Sequence, residues 1–407
     1  MTLVYQSSTT INGSPTIRGG CTWEAGNEAL LVDSGVPCLR RYNLSTFAQT
    51  ASTTVLNFPA TVAMINSASC VVIPYSGSTV EFYDLASNTR GAVSSGFNSI
   101  NNGVNQLSAS DLTNNIIMYV GATTNIGVVR ASNYSVSVVT PRTSSSSRVF
   151  NCVTFKEAGR WLVGTTGGGL YELDAFGNIY GQMDIQLTPK VSGLTQVDGS
   201  SNLSSLDISG LFWDSGILGV STTTGNFFLV DWGSKTIIAS RQFAFTDNSF
   251  SPCLVNAGSG IMVASLSNNT SNPGTCIEEL DMVNKAPRVR DNLYTASTST
   301  IVAVGANSTN GRGWAVQSQS GPIRFFDVQA DRAITTRAFS VTIGGVHQQA
   351  RLILLDETSG TATGRPILDT IMQSPTTYSV PSGKNVIEIV KVGEGYTSLW
   401  QVNRYTT

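Results

Sequence analysis

The sequence predicts an all-β protein: a seven-bladed β-propeller followed by a small antiparallel β-sandwich. Three observations carry this. A two-strand unit recurs along most of the 407 residues, its copies are spaced as propeller blades are, and the rhythm changes near residue 340. A β unit of fixed period cannot bury its own faces and must stack on copies of itself.

Each copy reads as an apolar run, a turn, a second run closing on a polar residue, and another turn. The first copy is Ala29-Leu30-Leu31-Val32, a turn at Gly35-Val36-Pro37, then Cys38-Leu39-Arg40-Arg41-Tyr42-Asn43. The second passes from Cys70-Val71-Val72-Ile73 to Val80-Glu81-Phe82-Tyr83-Asp84, and the third from Ile116-Ile117-Met118-Tyr119-Val120 to Ile126-Gly127-Val128-Val129, closing at Ser132. The fourth joins Trp161-Leu162-Val163-Gly164 to Leu170-Tyr171-Glu172-Leu173-Asp174 through Gly167-Gly168-Gly169. The fifth joins Ile217-Leu218-Gly219-Val220 to Phe227-Phe228-Leu229-Val230-Asp231. The sixth pairs Ile261-Met262-Val263-Ala264 with Cys276-Ile277-Glu278-Glu279-Leu280-Asp281, and the seventh Trp314-Ala315-Val316 with Ile323-Arg324-Phe325-Phe326-Asp327. The closing residues fall at 43, 84, 132, 174, 231, 281 and 327, a mean spacing of about 47 residues, within the range of four-stranded blades.

The first run of each copy is nearly all apolar, as a strand covered on both faces must be. The second alternates more. The closing Asp or Asn suits a turn, because its side chain bonds nearby backbone N–H groups and tolerates unusual dihedrals. Segments such as 132–139 and 236–244 supply further strands. Trp161 and Trp314, which begin first runs, are expected in the core.

Composition narrows the function classes. Charged residues are 12% of the chain and hydrophobic ones 41%, with a net charge of −2. Scattered arginines on a near-neutral chain give no electrostatic case for nucleic acid. The apolar runs are strand-sized, so no membrane insertion is expected. The start, Met1-Thr2-Leu3-Val4-Tyr5-Gln6, lacks the basic residues and long apolar core of a signal peptide, so synthesis in a cytosol is expected. The six cysteines (Cys21, Cys38, Cys70, Cys152, Cys253, Cys276) are dispersed without a CxxC pair and read as free buried thiols.

Chemistry-bearing patterns are few. Asp33-Ser34-Gly35 and Asp214-Ser215-Gly216 each follow apolar residues, an arrangement that resembles the aspartic peptidases, whose two carboxylates share a proton and activate water. The same tripeptides are ordinary turns, and Asp33 ends the first run of its copy whereas Asp214 precedes its own. His347 is the only histidine, which argues against histidine triads and multi-histidine metal sites. The glycines from Gly164 to Gly169 join two strands and lack the Lys-Ser/Thr and helix of a phosphate loop. Asp198-Gly199-Ser200-Ser201-Asn202 lacks the carboxylate density of a calcium loop. No catalytic, cofactor or metal residue is therefore assigned. Trp232, just past Asp231 in a turn, is the candidate for an exposed partner or glycan contact, against the alternative that it packs on a neighbouring blade.

From about 341 to 407 the pattern differs. Arg351-Leu352-Ile353-Leu354-Leu355-Asp356-Glu357-Thr358-Ser359-Gly360, followed by Tyr378-Ser379-Val380-Pro381-Ser382-Gly383-Lys384 and Val386-Ile387-Glu388-Ile389, resembles the small prealbumin-like modules of bacteriophage tail and virion proteins. The resemblance covers about a sixth of the chain and carries no catalytic residue. The preceding part looks like quinoprotein-type or WD-like hairpins but lacks the WD40, kelch and sialidase Asp-box signatures.

The expected organisation is thus a propeller over 1–340 and a β-sandwich module over 341–407. The resemblance implies a virion location, and the lack of a catalytic constellation makes the first expectation a non-enzymatic structural component of the phage tail or baseplate, made in the host cytoplasm. Its partners would be other tail proteins, in multiple copies within a symmetric assembly. The alternative is a receptor-binding adhesin that recognises host surface glycan or protein. The more remote alternative is an aspartic-type hydrolase using Asp33 and Asp214.

Overall fold

The computed structural model describes residues 2–76, 79–95, 107–121, 123–141, 148–185, 207–222, 226–242, 253–256, 260–265, 275–281, 286–294, 301–317, 320–329, 334–339, 350–356, 366–372, 376–381, 385–392 and 399–406. For 239–301 and 328–406 the description is of backbone pairing. The chain forms two compact units, Leu3–Val328 and a second comprising Met1–Thr2 and Gln329–Thr407.

After strand β1 (Thr2–Thr9), six four-stranded sheets follow, each built from four consecutive strands. The first holds β2 (Ile17–Trp23), β3 (Glu28–Asp33), β4 (Cys38–Asn43) and β5 (Gln49–Thr54); the second β6 (Phe58–Met64), β7 (Ser69–Ser76), β8 (Thr79–Asp84) and β9 (Thr89–Ser95). The third holds β10 (Ser108–Asp111), β11 (Ile116–Val120), β12 (Ile126–Arg130) and β13 (Ser135–Val139); the fourth β14 (Phe150–Glu157), β15 (Arg160–Thr165), β16 (Gly169–Leu173) and β17 (Ile179–Asp184). The fifth holds β18 (Ile208–Asp214), β19 (Ile217–Thr222), β20 (Asn226–Asp231) and β21 (Thr236–Gln242); the sixth β22 (Cys253–Asn256), β23 (Gly260–Ser265), β24 (Thr275–Asp281) and β25 (Ala286–Tyr294). A composite sheet then joins β26 (Ile301–Asn307), β27 (Arg312–Gln317) and β28 (Ile323–Gln329) to β1, in the order β1-β28-β27-β26. The arrangement is a β-propeller. First strands of neighbouring sheets pack together, β2 on β6, β6 on β10, β10 on β14, β14 on β18 and β18 on β22.

The anticipated hairpins are the second and third strands of their sheets, as in the registers Leu31↔Arg40 and Val163↔Tyr171. Strand β3 is buried at every residue, as its unbroken apolar run requires. The expected third closing residue, Ser132, lies in the turn instead, because β12 ends at Arg130. The core sits between sheets. Leu30, Val32 and Leu39 of the first sheet cluster with Val62, Val72 and Tyr83 of the second. Ala29, Leu31 and Tyr42 face Val302, Trp314 and Phe325 of the composite sheet. Trp161 and Trp314 are fully buried, as expected, and each indole N–H finds an acceptor, Ala109 O at 3.3 Å and Thr22 Oγ1 at 3.0 Å. Trp314 fits because Gly20 and Gly305 flank it; a Cβ at either would stand 2.6–2.7 Å from the indole.

One turn recurs where a third strand passes into a fourth. Asn43, Asp84, Asp174 and Asp231 each accept backbone N–H bonds two to four residues on, at 2.8–3.0 Å. Four residues after Asn43, Asp84 and Asp231 stand Phe47, Asn88 and Lys235, with φ of 60°, 54° and 56°. The polar side chain thus supplies the turn with an acceptor while the chain passes once through left-handed space.

In the second unit, β29 (Ile334–Phe339) pairs antiparallel with β32 (Thr376–Pro381). The strands β30 (Ala350–Asp356), β31 (Pro366–Met372), β33 (Asn385–Val392) and β34 (Leu399–Thr406) form a sheet in the order β31-β30-β33-β34. The run that carries the family resemblance is therefore its interior strand β30. Strand β29 precedes the expected boundary at 340, yet its partner is β32, and the compact units divide at Val328/Gln329.

Candidate functional site

The sequence-predicted carboxylates serve the fold. Asp33 is fully buried at the end of β3. Its Oδ1 accepts N–H bonds from Thr16 (2.8 Å), Gly35 (2.9 Å) and Val36 (3.3 Å), and its Oδ2 takes the Arg40 guanidinium at 2.7 and 3.0 Å. Asp214 ends β18 and accepts the Ser215 hydroxyl at 2.9 Å. The first and fifth sheets, which hold these two residues, are not neighbours, so the structure does not bring the pair together.

Trp232 corrects the expectation of exposure. It is 4% exposed and packs with Ile237, Val230 and Leu162. Its indole N–H donates to Glu172 Oε2 of the fourth sheet at 2.8 Å, and the Lys235 ammonium stands 3.4 Å from the ring centroid. The residue after a turn aspartate points back to the preceding sheet rather than outward. His347 and the 198–202 segment lie outside the described residues. The glycine segment is the expected hairpin, closed by a 3-10 turn at Thr166–Gly168 in which Gly167 and Gly168 have φ of 69° and 83°. Cys21, Cys38, Cys70 and Cys152 are free thiols; burial pushes Cys21 up to about 12 and Cys70 well above its ordinary value, which makes both poor nucleophiles. Among the described residues no His/Cys/Asp/Glu group is arranged to hold a metal.

The ionic groups that matter are joints between sheets. Arg41 is buried, pairs with Glu28 at 2.6 Å and donates to Leu85 O of the second sheet at 2.7 Å. Arg130 donates to Ala175 O of the fourth sheet at 3.2 Å, and Arg312 of the composite sheet to Leu44 O of the first at 3.1 Å. Leu44, Leu85 and Ala175 each directly follow the polar residue of the recurring turn, so one carbonyl position serves three joints. At the next joint Glu172 takes its place, bonding Lys156 (2.8 Å) and Trp232. Burial pushes the Glu172 carboxyl up, but the bonds from Lys156 and Trp232 outweigh it and hold it below the ordinary value. Sequence reasoning missed these joints; for Arg41 and Arg130 the available signal was an arginine near the end of a third strand, one sheet before the turn, whereas Arg312 begins a second strand.

The turns that carry these joints share one end of the propeller with the turns that follow first strands. Leu44 N bonds Asn27 O (2.9 Å), Leu85 N bonds Ala68 O (2.9 Å), Ala131 N bonds Asn115 O (3.1 Å) and Trp232 N bonds Gly216 O (3.0 Å). On this face the third and fourth sheets expose aromatic side chains. Phe176 is 74% exposed, Tyr134 and Tyr180 53% each. All three are held from behind. Tyr134 meets Phe82 edge-on at 5.0 Å, the Arg130 guanidinium stands 5.7 Å from the Phe176 ring, and Arg160 stacks 3.2 Å over Tyr180. The Tyr180 hydroxyl also donates to Asp174 at 3.2 Å.

A cavity of about 460 Å³ runs along the inner strands, lined by residues of β2, β6, β10, β14, β18 and β26. No protein-family model matches the chain, and no curated protein matches it.

Proposed function

We propose that this chain is a non-enzymatic docking component of a bacteriophage virion, in the tail or baseplate. The observation that carries the docking role is the exposed, pre-ordered aromatic arc of Tyr134, Phe176 and Tyr180. Large rings already fixed by neighbours lose little entropy on binding, and such anchors dominate protein interfaces. The virion setting rests on the resemblance of the β30 region to prealbumin-like phage modules. Seven blades and a C-terminal sandwich belong to the same reading. The blade count is supported by the composite sheet, in which β1 completes β26–β28, and by the packing of β26 on both β22 and β2. The sandwich is supported by the two C-terminal sheets.

Cryo-EM of the source particle tests the proposal. Density for this chain among tail components, with Phe176 and Tyr180 against a neighbouring protein, is the expected result. The double variant Phe176→Ala/Tyr180→Ala should lose incorporation while its circular dichroism stays unchanged. Absence of the chain from purified particles would overturn the reading.

A further inference from the structure

We infer that the axial cavity is a binding site for a neutral saccharide. This stands on the cavity alone and is independent of the virion reading. The lining includes unbroken runs of residues, such as 18–22 of β2, 60–64 of β6 and 302–306 of β26. Side chains alternate across a strand, so a wall made of successive residues is the strand's edge rather than one of its faces. Each of these strands pairs on one side only, being terminal in its sheet. The wall therefore offers backbone N–H and C=O groups that no strand pairs, with small residues such as Gly19, Gly20 and Ser108 between them. Alternating donors and acceptors around a narrow space suit a molecule whose hydroxyls both give and accept hydrogen bonds.

One mouth adds two aromatic residues. Phe155 and Trp213, both part-buried, line the cavity near the ends of β14 and β18. Glu24 lies at that mouth too, since Asn307 at the end of β26 bonds Glu24 O at 3.2 Å. Aromatic rings beside hydrogen-bonding groups match a pyranose, which has an apolar face and a polar rim. The charged lining residues are Arg18 and Glu24, roughly 20 Å apart along β2 at about 3.3 Å per residue. Opposite charges at opposite ends favour no net ligand charge, so a neutral sugar fits better than an acidic one. The volume lies within the range of small-molecule sites.

The test uses the full chain, titrated with neutral oligosaccharides (maltotriose, cellotriose and N,N′,N″-triacetylchitotriose), with sialyllactose as an acidic control and an extended neutral peptide as a competing class. Tryptophan fluorescence and saturation-transfer NMR are the readouts. Saturable binding of at least one neutral sugar is expected, weakened tenfold or more in Trp213→Ala and little changed in Trp23→Phe, with thermal unfolding of both variants showing a folded protein. A second variant, Ser108→Val, enlarges a part-buried lining residue at the start of β10, away from Phe155 and Trp213, and should also weaken binding while thermal unfolding shows a folded protein. No saturable binding across the sugars, binding of the peptide alone, or sugar binding equal in Trp213→Ala and the parent chain would overturn the inference.

Discussion

Glu172 shows how one side chain sets a condition on the whole assembly. Its carboxylate holds Lys156 within the fourth sheet and joins that sheet to the fifth through Trp232, and its folded pKa lies below the ordinary value. Asp174 is depressed too, because its bonds from Asn178, Phe176 and Tyr180 outweigh burial. A depressed folded pKa means that the ionised form stabilises the fold. That contribution is complete above the unfolded values of 4.5 and 3.8 and is lost as pH falls through the lower folded ones. Melting followed from pH 7 to pH 3 should therefore show a steep acid limb. Glu172→Gln, which keeps an acceptor for Trp232 but cannot titrate, should melt lower at pH 7 and fall less steeply below about pH 4.5. Parallel curves for the two proteins would show that the joint does not carry the acid dependence. Trp232 was visible in the sequence as a turn tryptophan, but its partner Glu172 lies 60 residues away. Local pattern reveals the turn and is silent on which neighbouring sheet receives the ring.

The turns and joints form the next scale. The closing Asp or Asn was legible because it repeats and because its chemistry is local. The arginine joints were not, since each links residues 44 to 268 apart. Arg41 makes the consequence measurable. Both it and Glu28 are buried, so Arg41→Ala strands a carboxylate in the core and should cost about 3–5 kcal/mol in chemical denaturation. Phe176→Ala removes a side chain that is 74% exposed and should change stability by no more than about 0.5 kcal/mol. Equal costs would mean that burial does not separate scaffold from docking residues here. A similar asymmetry holds at Asp111, which bonds Thr113 and Asn114 in its own turn and Gly159 N of the next sheet at 2.7 Å. Asp111→Asn should destabilise more than Asp84→Asn, whose carboxylate bonds Ser87 within its own turn.

Across the molecule, the strands hardest to read in the sequence form the wall of the axial cavity. The apolar hairpins stood out because both their faces are covered. The innermost strands, such as Arg18-Gly19-Gly20-Cys21-Thr22, have small mixed residues because one edge meets a cavity and their faces meet close neighbours. Strand β1 was likewise hidden, since its pairing with β28 spans nearly the whole unit and leaves no local periodicity. That pairing gives a final prediction. The last sheet has only three strands of its own, so deleting residues 2–9 exposes the edge of β28 to solvent. Amide exchange in β28 and β27 should then rise first and most, while β11 and β12, three sheets along, keep their protection at low temperature. Thermal unfolding should shift downward, and a synthetic peptide of residues 2–9 added in excess should restore part of the protection in β28. Uniform exchange across all sheets would mean that the propeller opens as one unit. Unchanged exchange in β28 would show that the N-terminal strand does not stabilise the composite sheet.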